Sequence, residues 1–259
     1  HLTPSQEITY LGMTFDSIRF WVTPKLKRIL KFRRIVAPFL IQAPSFRDLE
    51  VILGLMASLI GLIKHGRLRM RPIQFLLLEA RHKNLRPFDL VPLDQESLSS
   101  ILWYLQPGRL EEGVSLAPLI PTIWMETDAS LTGWGCKIGA CLSSGLWSGK
   151  EASLHINLLE LKAIFQSLFQ NHLLLRDQTV ALSGDNTTAL AYISHEGGTR
   201  SWGCFLEAKK ILLLAESLNI SLIPRFIQGA QNVVADSLSR RQEAPATEWV
   251  RNLEIYQVL

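Results

Sequence analysis

The segment from Ile120 to Gly135, with the sequence IPTIWMETDASLTGWG, constrains the fold more than any other part of this chain. Residues 123, 125 and 127 alternate with residues 124, 126 and 128, as side chains on the two faces of a half-buried β-strand do. Gly133-Trp134-Gly135 follows a short polar stretch and predicts a tight turn into a second strand. Asp128 is therefore expected inside a sheet, where an unpaired carboxylate costs free energy. A cation shared with other carboxylates would offset that cost.

Composition places the chain among globular proteins. It has 259 residues, of which 47% are hydrophobic and 19% charged, enough for one large domain or two smaller ones. The longest apolar run, residues 51–63, is too short to span a bilayer and favours a buried helix. We therefore expect no membrane contact.

The three cysteines, Cys136, Cys141 and Cys204, show no metal-ligand spacing and leave one thiol over. We expect them to be small buried side chains in a reducing, intracellular compartment. Because the first residue is His1 rather than Met, the chain is expected to be a piece of a longer polyprotein.

Charge is distributed unevenly along the chain. Residues 1–118 contain 16 Lys and Arg against 10 Asp and Glu, whereas residues 119–259 contain 11 against 13. The basic half predicts contact with a polyanion, and the acidic half suits a metal site.

The first half is predicted to begin with a β-hairpin, over Ile8–Phe15 and Phe20–Val22. Thr23 and Pro24 then predict the N-cap and first position of a helix. Three of that helix's basic residues are candidate nucleic-acid contacts: Lys25, Arg28 and Lys31. The alternative is a solvated basic face without a ligand.

Three more helices are expected before the chain changes character. A capping box at Ser45 and Asp48 starts a helix to Ile63, and others cover residues 71–82 and 94–105. Prolines and glycines in residues 106–121 predict a linker. We therefore divide the chain into residues 1–118, 119–241 and a tail, 242–259.

The second half places further acids at defined points. Glu160 lies on an apolar stripe of a helix over residues 154–174, and Asp185 follows a short buried strand, residues 179–183. Asp236 lies on a short closing helix over residues 231–240. Each acid alone could be a surface or capping residue.

The order of elements, strand-strand-strand-helix-strand-helix-helix-strand-helix, with its four acids is similar to the ribonuclease H family. That resemblance implies an α/β fold, a five-stranded mixed sheet with helices, preceded here by a mostly helical segment with an N-terminal hairpin. It implies that Asp128, Glu160, Asp185 and Asp236 hold two Mg²⁺ ions, or Mn²⁺ as a substitute, to cleave the RNA strand of RNA/DNA hybrids. Without metal, four converging acids would repel one another.

The resemblance also implies substrate contacts beside the acids. Asn157 would lie in the minor groove of the hybrid, and Ser130 and Asn186 follow the first and third acids as polar contacts. Trp134, Trp147 and Trp202 are better interpreted as core residues than as platforms for bases.

Longer motifs resemble one branch of this family, the reverse transcriptase–ribonuclease H polyprotein of DIRS-type (tyrosine-recombinase) retrotransposons. They are residues 127–130, 155–161, 185–188, 197–201 and 235–240. Residues 2–6 and 10–13 resemble the primer grip of reverse transcriptases, which makes the first half thumb and connection. The fingers and palm of such a polyprotein are then expected partners. The polymerase motif Tyr-x-Asp-Asp does not occur in this sequence.

One position departs from the family pattern. The loop before the last acid, Pro224–Gly229, has Phe226 where the family carries a histidine that assists product release. Phe226 either deprives the site of that help or packs under the closing helix. We therefore keep three hypotheses: an active ribonuclease H, a non-catalytic nucleic-acid-binding remnant of the fold, and a module whose basic helices bind protein partners.

Overall fold

The computed structural model describes residues 4–240. The tail 242–259, residue 241 and the first residues of the reverse transcriptase-like motif, Leu2 and Thr3, lie outside the described residues. Two hydrophobic cores organise the rest, one in each half of the chain.

The first half opens with a small antiparallel sheet. Its strands are β1 (Glu7–Tyr10), β2 (Met13–Asp16), β3 (Trp21–Pro24) and β4 (Val114–Ser115), adjacent in that order. A hairpin is confirmed, but the single strand predicted over Ile8–Phe15 was wrong, because the chain turns at Leu11 and Gly12, both at positive φ, and forms β1 and β2. The sheet continues with β3 and with β4, which comes from the segment predicted to be a linker. The predicted helix start was wrong because Thr23 and Pro24 still pair with β2, which leaves Lys25 as the N-cap.

Four helices build the first core: α1 (Leu26–Val36), α2 (Phe46–Ala57), α3 (Gly66–His82) and α4 (Gln95–Leu105). The capping box is confirmed, since the Asp48 N–H donates to Ser45 Oγ (3.2 Å) and the Ser45 N–H donates to Asp48 Oδ2 (2.9 Å). Short 3-10 turns at Ala37–Leu40 and Ile60–Leu62 follow α1 and α2. Because of the second turn, α2 ends before the predicted Ile63.

Up to residue 240, the second half contains a five-stranded sheet and six helices. The strands are β5 (Ile123–Ala129), β6 (Gly133–Ile138), β7 (Cys141–Leu146), β8 (Thr179–Gly184) and β9 (Ser221–Phe226). The helices are α5 (Gly149–Ala152), α6 (Ile156–Gln170), α7 (His172–Leu175), α8 (Thr187–Ser194), α9 (Trp202–Ser217) and α10 (Val233–Ser239), with a 3-10 turn at Gly229–Gln231.

The strand order is β7-β6-β5-β8-β9. The first three strands form an antiparallel meander, and β8 and β9 are added parallel to β5. This mixed sheet, with its helices in the predicted order, is the ribonuclease H-like fold, which confirms the predicted fold class.

Two element boundaries differ from prediction for local reasons. The strand predicted at residues 145–148 begins instead at Cys141, because Gly139, with φ +58°, turns the chain and lets Cys141 pair with Ile138. The helix predicted through residue 174 is interrupted at Asn171, whose side-chain amide donates to the Ser167 carbonyl (2.8 Å) and closes α6.

The closing helix α10 packs directly on two glycines of β6. A Cβ atom at Gly135 would collide with the carbonyl oxygen of Ala235 and lie 2.8 Å from the backbone nitrogen of Ser239. One at Gly133 would lie 3.2 Å from the Ser239 carbonyl oxygen. The missing side chains therefore let α10 approach the sheet beside Asp128, which pairs with Gly135.

The two halves meet where α3 packs against the second core. The carboxylate of Glu196, just after α8, accepts hydrogen bonds from the N–H groups of Arg67 (2.9 Å) and Leu68 (3.4 Å) in the first turn of α3. His65 Nδ1 lies 3.4 Å from its other oxygen, and Arg71 donates to the His195 carbonyl (2.7 Å). One carboxylate thus supplies the N-terminal cap that α3 lacks locally.

Predictions for the tryptophans and cysteines were right in part. Trp134 and Trp147 are buried, as are Cys136 and Cys204. Trp202 is 37% exposed. Its ring packs edge-on against Phe75 of α3, with 4.8 Å between the ring centroids. Cys141 is exposed on the edge strand β7.

Across residues 4–240, no helix combines the length and the apolar character needed to cross a membrane.

Candidate metal centre

Three of the four predicted acids converge at one edge of the large sheet. Asp128 lies near the end of β5, and Asp185 directly follows β8. Because β5 and β8 are parallel neighbours, their carboxyl ends meet at this edge, and α6 carries Glu160 to the same place. One carboxylate oxygen from each residue lies within 4.8 Å of the other two.

Asp128 is 4% exposed and is held by the segment that contains α10. Ser239 Oγ donates to its Oδ2 (2.6 Å), and Asn232 Nδ2 lies 3.5 Å from its Oδ1. Burial raises the pKa of Asp128 to about 6, the Ser239 hydrogen bond opposes the rise, and the charge of Asp185 adds to it.

Glu160 is 6% exposed, and both neighbouring charges that act on it are negative. Burial, followed by the charges of Asp128 and Asp185, raises the pKa of Glu160 to about 8, and a backbone hydrogen bond from Ala129 opposes this only in part. The protein alone therefore disfavours full ionisation of the cluster near neutral pH.

Asp236 does not join the group of three. It lies on α10, close enough for its charge to raise the pKa of Asp128. Its Oδ1, however, accepts a hydrogen bond from Arg240 Nε and lies 2.7 Å from Arg240 Nη2, one helical turn away. The structure thus pairs the fourth predicted acid with a neighbouring cation.

The donor set of the cluster fits a divalent cation. All three ligand atoms are carboxylate oxygens, which Mg²⁺ and Mn²⁺ accept, and no sulfur or imidazole is among them. A cation would also relieve the repulsion that raises the pKa of Asp128 and Glu160.

The two predicted amide contacts lie beside the cluster and touch each other. Asn186 Nδ2 donates to Asn157 Oδ1 (3.0 Å), while Asn186 Oδ1 accepts from the Ala189 N–H (2.9 Å) and caps α8. This cap explains locally why a helix starts directly after Asp185. Asn157 meets Asn186 through its amide oxygen, so within residues 4–240 this contact does not use the Asn157 amide nitrogen.

Ser130 has a structural position instead of the predicted substrate-facing one. Its hydroxyl is buried in the β5–β6 turn, where it donates to the Ser239 carbonyl (2.6 Å) and accepts from the N–H groups of Thr132 and Gly133 (both 3.1 Å). Its own carbonyl accepts from Trp147 Nε1 (2.9 Å). Ser130 therefore fixes the turn to the end of α10.

The three basic candidates lie between the N-cap and the middle of α1. Lys25 and Lys31 are exposed, whereas Arg28 donates to the Ser58 carbonyl (2.6 Å) and ties α1 to the end of α2. Two of the three side chains are thus available to a polyanion, and the third is engaged within the protein.

Phe226 ends β9 and is 57% exposed, so the alternative that it packs under the closing helix was wrong. The residues after it run past the acids, because a Cβ atom at Gly229 would lie 3.0 Å from Asp185 Oδ2. Phe226 therefore begins a solvent-facing segment that borders the cluster.

Sequence reasoning missed Ser239 and Asn232, the two residues that contact the Asp128 carboxylate. Ser239 follows Asp236 by three positions, so helical spacing places both toward one side of α10. That spacing was the available signal, but serine in a helix usually bonds to its own backbone.

No protein-family model matches the sequence, and no curated protein does so. Among solved structures, the chain is similar to RNase H1 from the archaeon Halobacterium salinarum, with 16% identity and a TM-score of 0.38, over 45% of this chain and 92% of that one. The chain is also similar to LC11-RNase H1, isolated from compost and solved in complex with an RNA/DNA hybrid. The identity is 17% and the TM-score 0.38, over 45% of this chain and 91% of that one.

The foamy viral protease-reverse transcriptase in complex with RNA/DNA hybrid gives 11% identity and a TM-score of 0.35, over 96% of this chain and 32% of that one. This chain thus spans about a third of the viral protein. Likeness at these scores carries no argument about activity, and the fold assignment rests on the strand order and helix placement of this chain.

Proposed function

We propose that this protein cleaves the RNA strand of RNA/DNA hybrids endonucleolytically with Mg²⁺. The observation that carries the proposal is the convergence of Asp128, Glu160 and Asp185, with ligand atoms within 4.8 Å, on a ribonuclease H-like sheet. Burial and like charges raise the pKa of Asp128 and of Glu160, and such shifts are more typical of functional sites than of stabilising contacts.

These three carboxylates would hold the metal, with Asp236 as a further ligand once it leaves Arg240. Magnesium there supplies Lewis acidity to the scissile phosphate and acidifies a bound water. The protein's own contribution is to hold the carboxylates together in a site of low accessibility. Asn157, three residues before Glu160 on α6, would contact the hybrid, and a 2′-hydroxyl there would distinguish RNA from DNA.

The first half would add affinity through its basic charge, and its exposed Lys25 and Lys31 would contact phosphates. The motifs described above support a place in a DIRS-type retrotransposon polyprotein, with fingers and palm as neighbouring parts. On that proposal the protein acts in an intracellular, reducing compartment.

The second candidate is a nucleic-acid-binding remnant that keeps the fold without turnover. Two observations favour it: the ion pair that engages Asp236 and the exposed Phe226 beside Asp185. The first concerns the fourth acid and the second concerns product release. Neither alters the convergence of the other three acids.

Incubation with a hybrid labelled in its RNA strand separates the two candidates. We expect internal cuts in the RNA with Mg²⁺, none with EDTA, and none in the same RNA when it is single-stranded or paired with RNA. Tight binding of the hybrid without any cut, in Mg²⁺ and in Mn²⁺, would establish the remnant and reject the nuclease.

A further inference from the structure

Asp128 is the acid whose orientation depends most on other side chains. The terminal torsion of an aspartate is broad, so the backbone alone does not fix where its two oxygens point. Repulsion from Asp185 and Glu160 would favour turning the carboxylate out of the cluster. A bond to one oxygen therefore determines whether the three acids stay together in the absence of metal.

Ser239 provides that bond. Its hydroxyl is fully buried and lies 2.6 Å from Asp128 Oδ2 and 2.9 Å from the Asp236 carbonyl oxygen. The hydroxyl has a single proton, and the charged, nearer acceptor is the stronger one. Asn232, whose amide donates to the Thr127 carbonyl at 3.0 Å, reaches the other oxygen only at 3.5 Å.

Ser239 is itself held from the opposite side. Its carbonyl accepts the Ser130 hydroxyl (2.6 Å), and its backbone lies over Gly135. The residue therefore cannot move away from Asp128 unless the end of α10 leaves the sheet.

We propose that Ser239 is a positioning residue that orients the Asp128 carboxylate for divalent-metal binding. This inference rests on the proposed function, because it assumes that the three acids bind metal. Ser239 touches neither metal nor substrate in this proposal. It acts through Asp128, and it couples the docking of α10, which carries Asp236, to the geometry of the first acid.

The test is a titration of the full chain with Mn²⁺ in the absence of nucleic acid, in which electron paramagnetic resonance measures the bound Mn²⁺. Ser239→Ala should weaken Mn²⁺ affinity by about 10-fold or more, the range found when a partner of a metal ligand is removed. Ser239→Cys, which retains only a weak donor, should give an intermediate loss and serves if the alanine variant does not fold.

Ser167→Ala is the matched control. Ser167 is also a fully buried helical serine, but its hydroxyl donates to the Ala163 carbonyl (2.7 Å) within α6. We expect it to change the melting temperature and to leave Mn²⁺ affinity unaltered. An orienting role for Ser239 therefore predicts that Ser239→Ala weakens Mn²⁺ affinity and that Ser167→Ala does not.

Two failures are distinguishable. If the wild-type chain binds no Mn²⁺, the proposed metal centre fails and the role of Ser239 fails with it. If wild type binds Mn²⁺ and the Ser239 variants bind it equally well, or lose affinity only as much as Ser167→Ala does, the metal centre stands and the positioning role is rejected.

Discussion

Glu160 and Glu196 are both largely buried glutamates on the second half of the chain, yet their pKa values shift in opposite directions. Burial alone would raise the pKa of Glu196, but His65 and the N–H groups of Arg67 and Leu68 outweigh it, and the pKa falls below its ordinary value. Glu160 has the negative neighbours Asp128 and Asp185, and its pKa rises to about 8.

The difference shows how to distinguish a structural from a functional acid. Glu196 accepts donors that the fold already contains, so its charge joins the two halves through the start of α3. Glu160 accepts one backbone hydrogen bond, from Ala129, and has no cationic neighbour among the groups that shift its pKa. Burial is common to both, and the identity of the partner decides the role.

The largest effect should come from removing an acid of the cluster. Asp128→Asn or Asp185→Asn should lower single-turnover hybrid cleavage by more than ~100-fold, since a direct ligand matters more than its hydrogen-bond partner. Glu196→Gln, assayed well below its melting temperature, should cleave at the wild-type rate. The comparison breaks if Glu196→Gln is as inactive as the cluster variants, or if Asp128→Asn keeps near wild-type cleavage.

In EDTA, substitution of Glu196 and substitution of Glu160 should change the stability of the protein in opposite directions. Glu196→Gln removes a charge-assisted cap and should cost about 1–3 kcal/mol in the free energy of unfolding. Glu160→Gln removes a repelled charge and should raise the melting temperature at pH 8. Urea denaturation and thermal melts measure both. Destabilisation by both variants would mean that Glu160 also has a structural role.

The pH dependence of stability sharpens the same contrast. A carboxyl whose pKa is raised on folding stabilises the native state at low pH, and this is lost as pH rises from its ordinary value through the folded one. For Glu160 that window runs from 4.5 to about 8, and for Asp128 from 3.8 to about 6. Glu196, with a lowered pKa, loses its contribution as pH falls.

We therefore expect the metal-free protein to be most stable in mild acid and to lose stability toward pH 8. Saturating Mg²⁺ should reduce that loss, because metal favours the ionised cluster. Melting temperatures across the pH range, with Mg²⁺ and with EDTA, test this. Identical curves in the two conditions would contradict it.

A smaller effect is expected on the salt dependence of hybrid affinity when lysines of the basic first half are replaced. Lys25→Ala and Lys31→Ala should each reduce the slope of log affinity for hybrid against log salt by about 1. Lys83→Ala is the control, because Lys83 is paired with Glu79 on α3 (2.6 Å). Equal slopes for Lys31→Ala and Lys83→Ala would remove the reason to assign hybrid binding to α1.

The smallest effect is expected at Phe226. Phe226→His should raise multiple-turnover cleavage modestly, with a new pH dependence near ~6.5, the ordinary histidine pKa. Single-turnover cleavage should change less, since product release is not part of that measurement. Because Phe226 is exposed, the substitution should barely alter stability. An unchanged turnover would show that this segment has no part in release.

Periodicity assigned the acids to their elements, and the resemblance of the element order to the ribonuclease H family predicted the fold and the convergence of four acids, of which the structure brings three together. Alternation around Asp128 and the buried strand before Asp185 are local signals, and parallel pairing brings the strand ends together. The bond between Ser239 and Asp128 spans 111 positions, so the spacing of Ser239 from Asp236 indicates a shared side of α10 but not the partner of Ser239. The sequence neighbours of Glu196 likewise give no hint that it caps a helix of the other half.

Local competition explains the remaining differences. Thr23-Pro24 carries a good helix-start signal, but pairing with β2 extends the strand instead. Asp236 was predicted as a ligand from the resemblance to the ribonuclease H family. In the structure it pairs with Arg240, four residues later on the same helix, and the resemblance gave no account of that ion pair.

The contact of α10 with Gly133 and Gly135 makes this site easy to lose without losing any acidic residue. A methyl group at position 135 needs the space of the Ala235 carbonyl, so it would lift the helix that carries Ser239 and Asp236. A chain with such a change would keep all four carboxylates in its motifs and still lose the contact between Ser239 and Asp128. When diverging copies of this domain are judged from sequence, the two glycines of β6 therefore deserve the same weight as the acids.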